Sequence, residues 1–179
     1  MDSISISMDK LVFSGTRVIF DPSETVPGTG PNLFATLASS EHALIHYLTG
    51  QDVLSRFNGK AREVINLIVS QENNCEYSVA AHMVTSKMGG FTNEQILEIR
   101  TGRASFDARL DALARLVKNT VAQRGLADVT LIDAFFAAGW TAGNLVDAII
   151  FICDKTITNY LITATQVLID APAGAELPD

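Results

Sequence analysis

Cysteine is scarce in this 179-residue chain, with only Cys75 and Cys153. Two cysteines exclude a disulfide framework and read as free thiols of a reducing compartment. Charge is thin as well, at 18% of residues, while an apolar share of 47% excludes intrinsic disorder. Basic side chains number 13 against 20 acidic, a net charge of -7. No Lys/Arg stripe is present, so neither nucleic acid nor an anionic membrane surface is an expected partner. No apolar run reaches membrane-spanning length without interruption, because Asp133 and Asp147 break the stretch over 129–152. Residues 1–10 carry Asp2 and Asp9 where a signal peptide needs positive charge, and they lack an apolar h-region. These absences lead to the expectation of a soluble, cytoplasmic protein. β signal is nearly absent too, confined to residues 11–20 (LVFSGTRVIF).

What is present is helical periodicity. Three of the five prolines fall in residues 21–31, so 1–31 reads as an N-terminal arm or linker. Apolar residues recur near the 3.6 period from 32 to 170, and 171–179 reads as a tail. The expected fold is all-α: one compact bundle of about seven or eight helices with a short N-terminal arm. Two short helices fall around Leu33–Leu37 and Leu44–Leu48. A longer one runs from Gly59 to the polar Glu72-Asn73-Asn74, and the next starts at Cys75 and stops at Gly89-Gly90. Thr92 and Gln95 form a capping box. Residues 107–124 are the clearest amphipathic helix, with Leu110, Leu113, Ala114, Leu116, Val117 and Val121 on one face. Asp128 and Thr141 open the last two helices, the final one reaching about residue 168. No period of 20–50 residues marks a repeat architecture.

The chemistry-bearing residues cluster in one stretch. On a helix starting near Cys75, Ser78 lies one turn on and His82 four residues beyond it, so all three share a face. The positive end of that helix favours a thiolate. Glu63 joins them if the chain reverses at 72–74, since ~1.5 Å of rise per residue brings Glu63 and His82 to similar heights on antiparallel neighbours. Carboxylate, imidazole, hydroxyl and thiol then converge between two helices. A carboxylate beside a histidine orients the ring and raises its basicity, as a general base requires.

This pattern resembles the alkylhydroperoxidase D-like branch of the carboxymuconolactone decarboxylase superfamily. That branch carries a Glu, eleven residues, then Cys-x-x-Cys-x-x-x-His; here Glu63, Cys75 and His82 meet the spacing and Ser78 takes the second cysteine's place. Flanking words are similar as well: Pro31-Asn32-Leu33-Phe34, Arg62-Glu63, Asn74-Cys75-x-Tyr77, Ala80-Ala81-His82, Ile99-Arg100-x-Gly102 and Thr158-Asn159-Tyr160. The resemblance spans residues 26 to 171. It implies an all-helical homo-oligomer, a trimer or hexamer, that reduces hydroperoxides with Glu63 and His82 relaying protons and Cys75 as the thiol. Ser78 removes the intrachain disulfide from that cycle, so a one-cysteine variant would use an external thiol reductant. No cofactor and no metal are implied. The alternatives are a carboxymuconolactone decarboxylase-like lyase, acting on a lactone-type substrate through Glu63 and His82 without a thiol, and a non-catalytic binding or regulatory protein.

Other residues have plainer readings. His42 and His46 are spaced i, i+4, but no carboxylate completes a zinc motif, and a solvated face accounts for them. Cys153, in the apolar AIIFICDK, reads as core packing. Asn159 reads as a buried interhelical hydrogen bonder. Arg100 is either a helix C-terminal cation or one facing the site, and Trp140 serves packing or a subunit contact.

Overall fold

The structure is a computed structural model that describes residues 57–167 and, upstream, Leu33, Thr36, Leu37, Ser40, His42, Ala43, Leu44 and Tyr47. The arm over 1–31 with its β-like stretch, the tail over 171–179, and His46 lie outside the described residues. Six helices follow in order: α1 (Gly59–Glu72), α2 (Glu76–Met88), α3 (Asn93–Arg100), α4 (Ala108–Ala122), α5 (Val129–Ala137) and α6 (Ala142–Thr165). Leu33, Thr36, Leu37, His42, Ala43, Leu44 and Tyr47 are helical too, and no strand occurs among the described residues. The fold is the expected all-α bundle.

α1 is its centre, packed against α2, α3, α4 and α6. Ala61, Val64, Ile65, Leu67, Ile68 and Val69 expose no surface at all. A helix that is apolar nearly all round has to be enclosed by others. The exception is a polar line at 63, 66, 70 and 73, spaced for one face, and it is this line that carries the site. Each large apolar side chain so buried contributes roughly 1.5–3 kcal/mol.

Local sequence sets the helix ends. The Thr92–Gln95 capping box forms as its spacing predicts, and Thr141 makes a second one with Asn144. The Asp107 and Asp128 carboxylates accept from the first turns of α4 and α5. The reversal at 72–74 is real: Asn74 adopts φ 51, a left-handed conformation that asparagine tolerates, and the Cys75 amide donates to Ser70 O at 2.9 Å. α4 buries the predicted stripe except that Val121 is only half-buried. Thr120 turns inward instead and donates to Leu116 O at 2.8 Å. α6 stops at Thr165, short of 168, because Gln166 turns left-handed and the Val167 amide bonds back to Ile162 O at 3.1 Å. Gly102, at φ 83, is required twice over, since a Cβ there would also run into the Lys118 side chain.

Trp140 serves packing. It is buried, stacks on Phe135 with centroids 5.5 Å apart, receives the Arg109 guanidinium 4.0 Å above its ring, and donates Nε1–H to Arg109 O at 2.9 Å. Cys153 departs from its expected place in the core, since it is exposed on the outward side of α6. Among the described residues, no helix is long and apolar enough to cross a membrane.

Candidate active site

Glu63 projects from α1 toward α2, and the Asn73-Asn74 reversal brings His82 opposite it. His82 Nδ1 lies 3.0 Å from Glu63 Oε2. The carboxylate has other partners as well: Thr85 donates to Oε2 at 2.7 Å, Ser86 to Oε2 at 3.3 Å, and Asn66 Nδ2 to Oε1 at 3.2 Å. Thr85 and Ser86 follow His82 by three and four residues, so one helical face of α2 supplies three of the four partners. The expected convergence of Glu63 and His82 is therefore present.

The sequence reading missed the third member. Lys155, from α6, places Nζ 2.8 Å from His82 Nε2, and the lysine is buried. A carboxylate, an imidazole and an amine thus form one line across three helices. A signal for Lys155 existed in the sequence. Ala148, Phe151, Ile152, Lys155, Asn159 and Ile162 recur at helical spacing and are all buried, so Lys155 falls on the inward face of α6.

Electrostatics follow from this line. Burial opposes ionisation of Glu63, yet the His82 charge and the bonds from His82, Thr85 and Asn66 outweigh it and hold the carboxyl down at about 2. Burial, with Lys155 beside it, pushes the His82 imidazole below its ordinary value, against the pull of Glu63. Burial likewise pushes Lys155 down, opposed by the negative charges of Glu63 and Asp154. With Lys155 charged and His82 neutral, Lys155 donates to Nε2 and Nδ1–H donates to Glu63, so each group is satisfied. Passing a proton from Nζ to Nε2 leaves a neutral amine beside an imidazolium–carboxylate pair, with no change in the net charge of the three.

Cys75 is the N-cap residue of α2, and its side chain makes no capping bond. It is buried in an apolar cluster with Leu33, Leu37, Tyr47, Tyr77 and Ile162. Burial and the Asp154 charge push the Tyr47 phenol up, so it stays protonated. Ser78 is buried one turn beyond Cys75, and its hydroxyl is not among the groups that bond Glu63, His82 or Lys155.

The remaining readings resolve as follows. Arg100 is buried and donates Nε–H to Gln71 Oε1 at 2.9 Å and Nη1–H to Met83 Sδ at 3.7 Å, tying α3 to α1 and α2. Asn159 is fully buried as expected, but neither of its amide atoms finds a hydrogen-bond partner among the described residues. His42 is exposed, as a solvated histidine should be. Among the described residues, no three His, Cys, Asp or Glu side chains cluster as a metal would need.

Fold and site together describe an all-helical protein with a buried acid–base line and a buried cysteine at the start of the helix that carries its histidine. Residues 41–119 match the model of the carboxymuconolactone decarboxylase family. That segment contains Glu63, Cys75, Ser78 and His82 and ends before Lys155. No curated protein matches the chain in sequence. Among solved structures, the chain is similar to a cysteine-to-alanine variant of the debrominase Bmp8 in complex with 2,3,4-tribromopyrrole. The identity is 12%, with 81% of this chain and 80% of that chain covered and a TM-score of 0.69. The same debrominase without ligand gives 13% identity, the same coverage and a TM-score of 0.68. At such identity the likeness is one of fold.

Proposed function

We propose that this chain is a thiol-dependent oxidoreductase of the alkylhydroperoxidase D-like kind, reducing an apolar hydroperoxide through Cys75. The observation that carries the reading is the buried Glu63–His82–Lys155 line, with Cys75 at the N-cap of the helix that carries His82. A peroxidatic cysteine needs a base to receive its proton and an acid to protonate the leaving alkoxide, and one relay does both. The Cys75 sulfur attacks the outer oxygen of the hydroperoxide, the O–O bond breaks, and the alkoxide leaves with a proton from Lys155. Cys75 is then a sulfenic acid. One external thiol condenses with it, releasing water, and a second thiol frees Cys75 as that thiol's disulfide. Ser78 cannot take the first thiol's part, so the reductant must enter from outside. The apolar cluster around Cys75 suits a substrate with a hydrocarbon body better than hydrogen peroxide.

Thiol attack on a soft electrophile is also the chemistry of removing a ring halogen. The solved debrominases share this fold, which makes a halogenated aromatic the second substrate class to try. A lyase using Glu63 and His82 alone would need no thiol. The deciding experiment follows cumene hydroperoxide loss with dithiothreitol as reductant. Wild-type protein consumes the peroxide, Cys75→Ser does not, and His82→Ala slows it roughly 10²–10⁴-fold. Absence of peroxide consumption by the folded wild-type protein overturns the reading. Retention of activity in Cys75→Ser transfers the site to thiol-free chemistry.

A further inference from the structure

The Glu63–His82–Lys155 line has the order of a nucleophile, its base and the group that orients the base. His82 Nδ1 lies 3.0 Å from Glu63 Oε2, and Nε2, the opposite ring nitrogen, lies 2.8 Å from Lys155 Nζ. That mutual placement is the general signature of an activated nucleophile. The end that a hydroxyl or thiol holds in such lines is held here by an amine. Neither Cys75 nor Ser78 bonds His82 among the described residues.

The surroundings of Lys155 suit that amine to attack. Burial, helped by the Arg62 charge, pushes it below its ordinary value, against the pull of Glu63 and Asp154. Its proton also has a destination, because transfer to Nε2 leaves an imidazolium that Glu63 already holds. One turn further along the inward face of α6, Asn159 is fully buried, with neither amide atom bonded among the described residues. Lys155 and Asn159 are spaced i, i+4, so their side chains are neighbours on one face. An unbonded amide at that depth calls for a polar group that the chain itself does not supply. Three residues beyond Asn159, Ile162 enters the apolar cluster around Cys75 and Tyr77.

We propose that Lys155 is itself a nucleophile and captures the carbonyl of an uncharged aldehyde or ketone as an imine, with the carbonyl oxygen at the Asn159 amide. Nζ gives a proton to Nε2, and its freed electron pair bonds the carbonyl carbon. The C=O π pair moves to oxygen, where Asn159 Nδ2–H donates. A second Nζ proton passes through His82 to that oxygen, giving a carbinolamine beside the imidazolium. The imidazolium then protonates the hydroxyl, water leaves, and the nitrogen pair closes the C=N bond. An ammonium and a carbonyl have become a protonated imine and water, with no change of charge and no redox step. An ester would instead acylate Nζ to a stable amide, so the aldehyde or ketone level is the one that turns over. An uncharged substrate fits because Glu63 and Lys155 already balance and the side chains beyond Asn159 are apolar. Neither the Cys75 thiol nor a peroxide takes part.

Pentane-2,4-dione, added to the full chain, tests the capture. A neutral amine converts it, with loss of one water, to an enaminone that absorbs in the near ultraviolet. An ordinary lysine at neutral pH is in its neutral form in only about one part in 10³. The protein should gain the mass of one diketone less one water, and peptide mapping should place it on Lys155. Lys155 should react at least ~10-fold faster than the exposed Lys60 and Lys87. Lys155→Met should abolish the band with helicity unchanged, and Asn159→Leu should slow its appearance roughly 10²-fold. Labelling of Lys60 or Lys87 with Lys155 left unmodified in the folded wild type overturns the proposal. A band that persists in Lys155→Met overturns it equally, and an unaltered rate in Asn159→Leu overturns the placement of the carbonyl oxygen. None of these readouts involves peroxide, so they stand or fall apart from the thiol chemistry.

Discussion

The two faces of α6 are built against the ordinary rule. Its inward face buries Lys155, Thr158 and Asn159 among Phe151, Ile152 and Ile162, while its outward face exposes isoleucine, valine and tyrosine. α4, of comparable regularity, does the opposite, with Leu113, Leu116 and Val117 inside and Arg115 outside. A surface helix normally turns its apolar stripe to the core because burial of that stripe is what holds it there. Buried polar groups cost stability unless bonded, and exposed apolar ones forgo it. An inversion on both faces of one helix therefore marks two demands beyond folding. The inner one is met by His82, which receives Lys155. The outer one has no apolar partner among the described residues.

The largest effect should come from the inner face. Lys155→Met keeps the length and apolar stem of the side chain but removes the group that bonds His82 Nε2. Peroxide turnover should drop roughly 10²–10⁴-fold with the helical circular dichroism unchanged. An unaltered rate would reduce Lys155 to a packing residue and leave the inversion of the inner face without a chemical reason.

Next in size is the response to pH. Glu63 is held below its ordinary 4.5, at about 2, so the folded state releases this proton more readily than the unfolded state. Its contribution is fully present above pH 4.5 and is lost as pH falls toward 2. His82, depressed from 6.5, has the same sign: the unfolded chain binds the proton first, so stability falls as pH drops through 6.5. Lys155 extends the rise toward its ordinary 10.5. Thermal midpoints should therefore climb from pH 3 to pH 8. Glu63→Gln should flatten the limb below pH 4.5 and cost about 1–3 kcal/mol at neutral pH, because four donors lose a charged acceptor. A midpoint that peaks near pH 5 would contradict these directions.

How far the sequence reaches follows from the same contrast. The hairpin between α1 and α2, the caps at Thr92, Asp107, Asp128 and Thr141, and the meeting of Glu63 with His82 are set by residues close together in the chain or by one reversal. Spacing alone shows them. Lys155 and Cys153 depend on which way α6 turns, and α6 has apolar residues on both sides. In such a helix the polar residues no longer point to solvent, so a lysine reads as an interruption and a cysteine reads as core. Only the register of Ala148, Phe151, Ile152 and Ile162 assigns the inside. Asn159 shows the converse limit: its burial is legible, but its lack of a hydrogen-bond partner is a matter of distances.

Asn159 offers the next test in size. Both its amide atoms are buried without partners among the described residues, a state that costs about 1–3 kcal/mol. Asn159→Leu, of similar volume, should stabilise the protein by ~1 kcal/mol in urea unfolding. A loss of stability instead would mean that the amide is bonded in solution.

The smallest effect should come from the outer face. Ile157 is 56% exposed, and in a single copy its side chain adds little to the core. Ile157→Ser, measured by urea unfolding at a concentration low enough to separate subunits, should change stability by no more than about 0.5 kcal/mol. If the chain self-associates through this face, the same substitution at high concentration should lower the midpoint clearly, because stability then includes a free energy of association that grows with protein concentration. A buried isoleucine such as Ile65, cut to alanine, should cost ~2–5 kcal/mol at any concentration. If Ile157→Ser cost as much as that in the dilute protein, the outward face would be part of the fold of one chain. The difference between the two faces of α6 would then be only apparent.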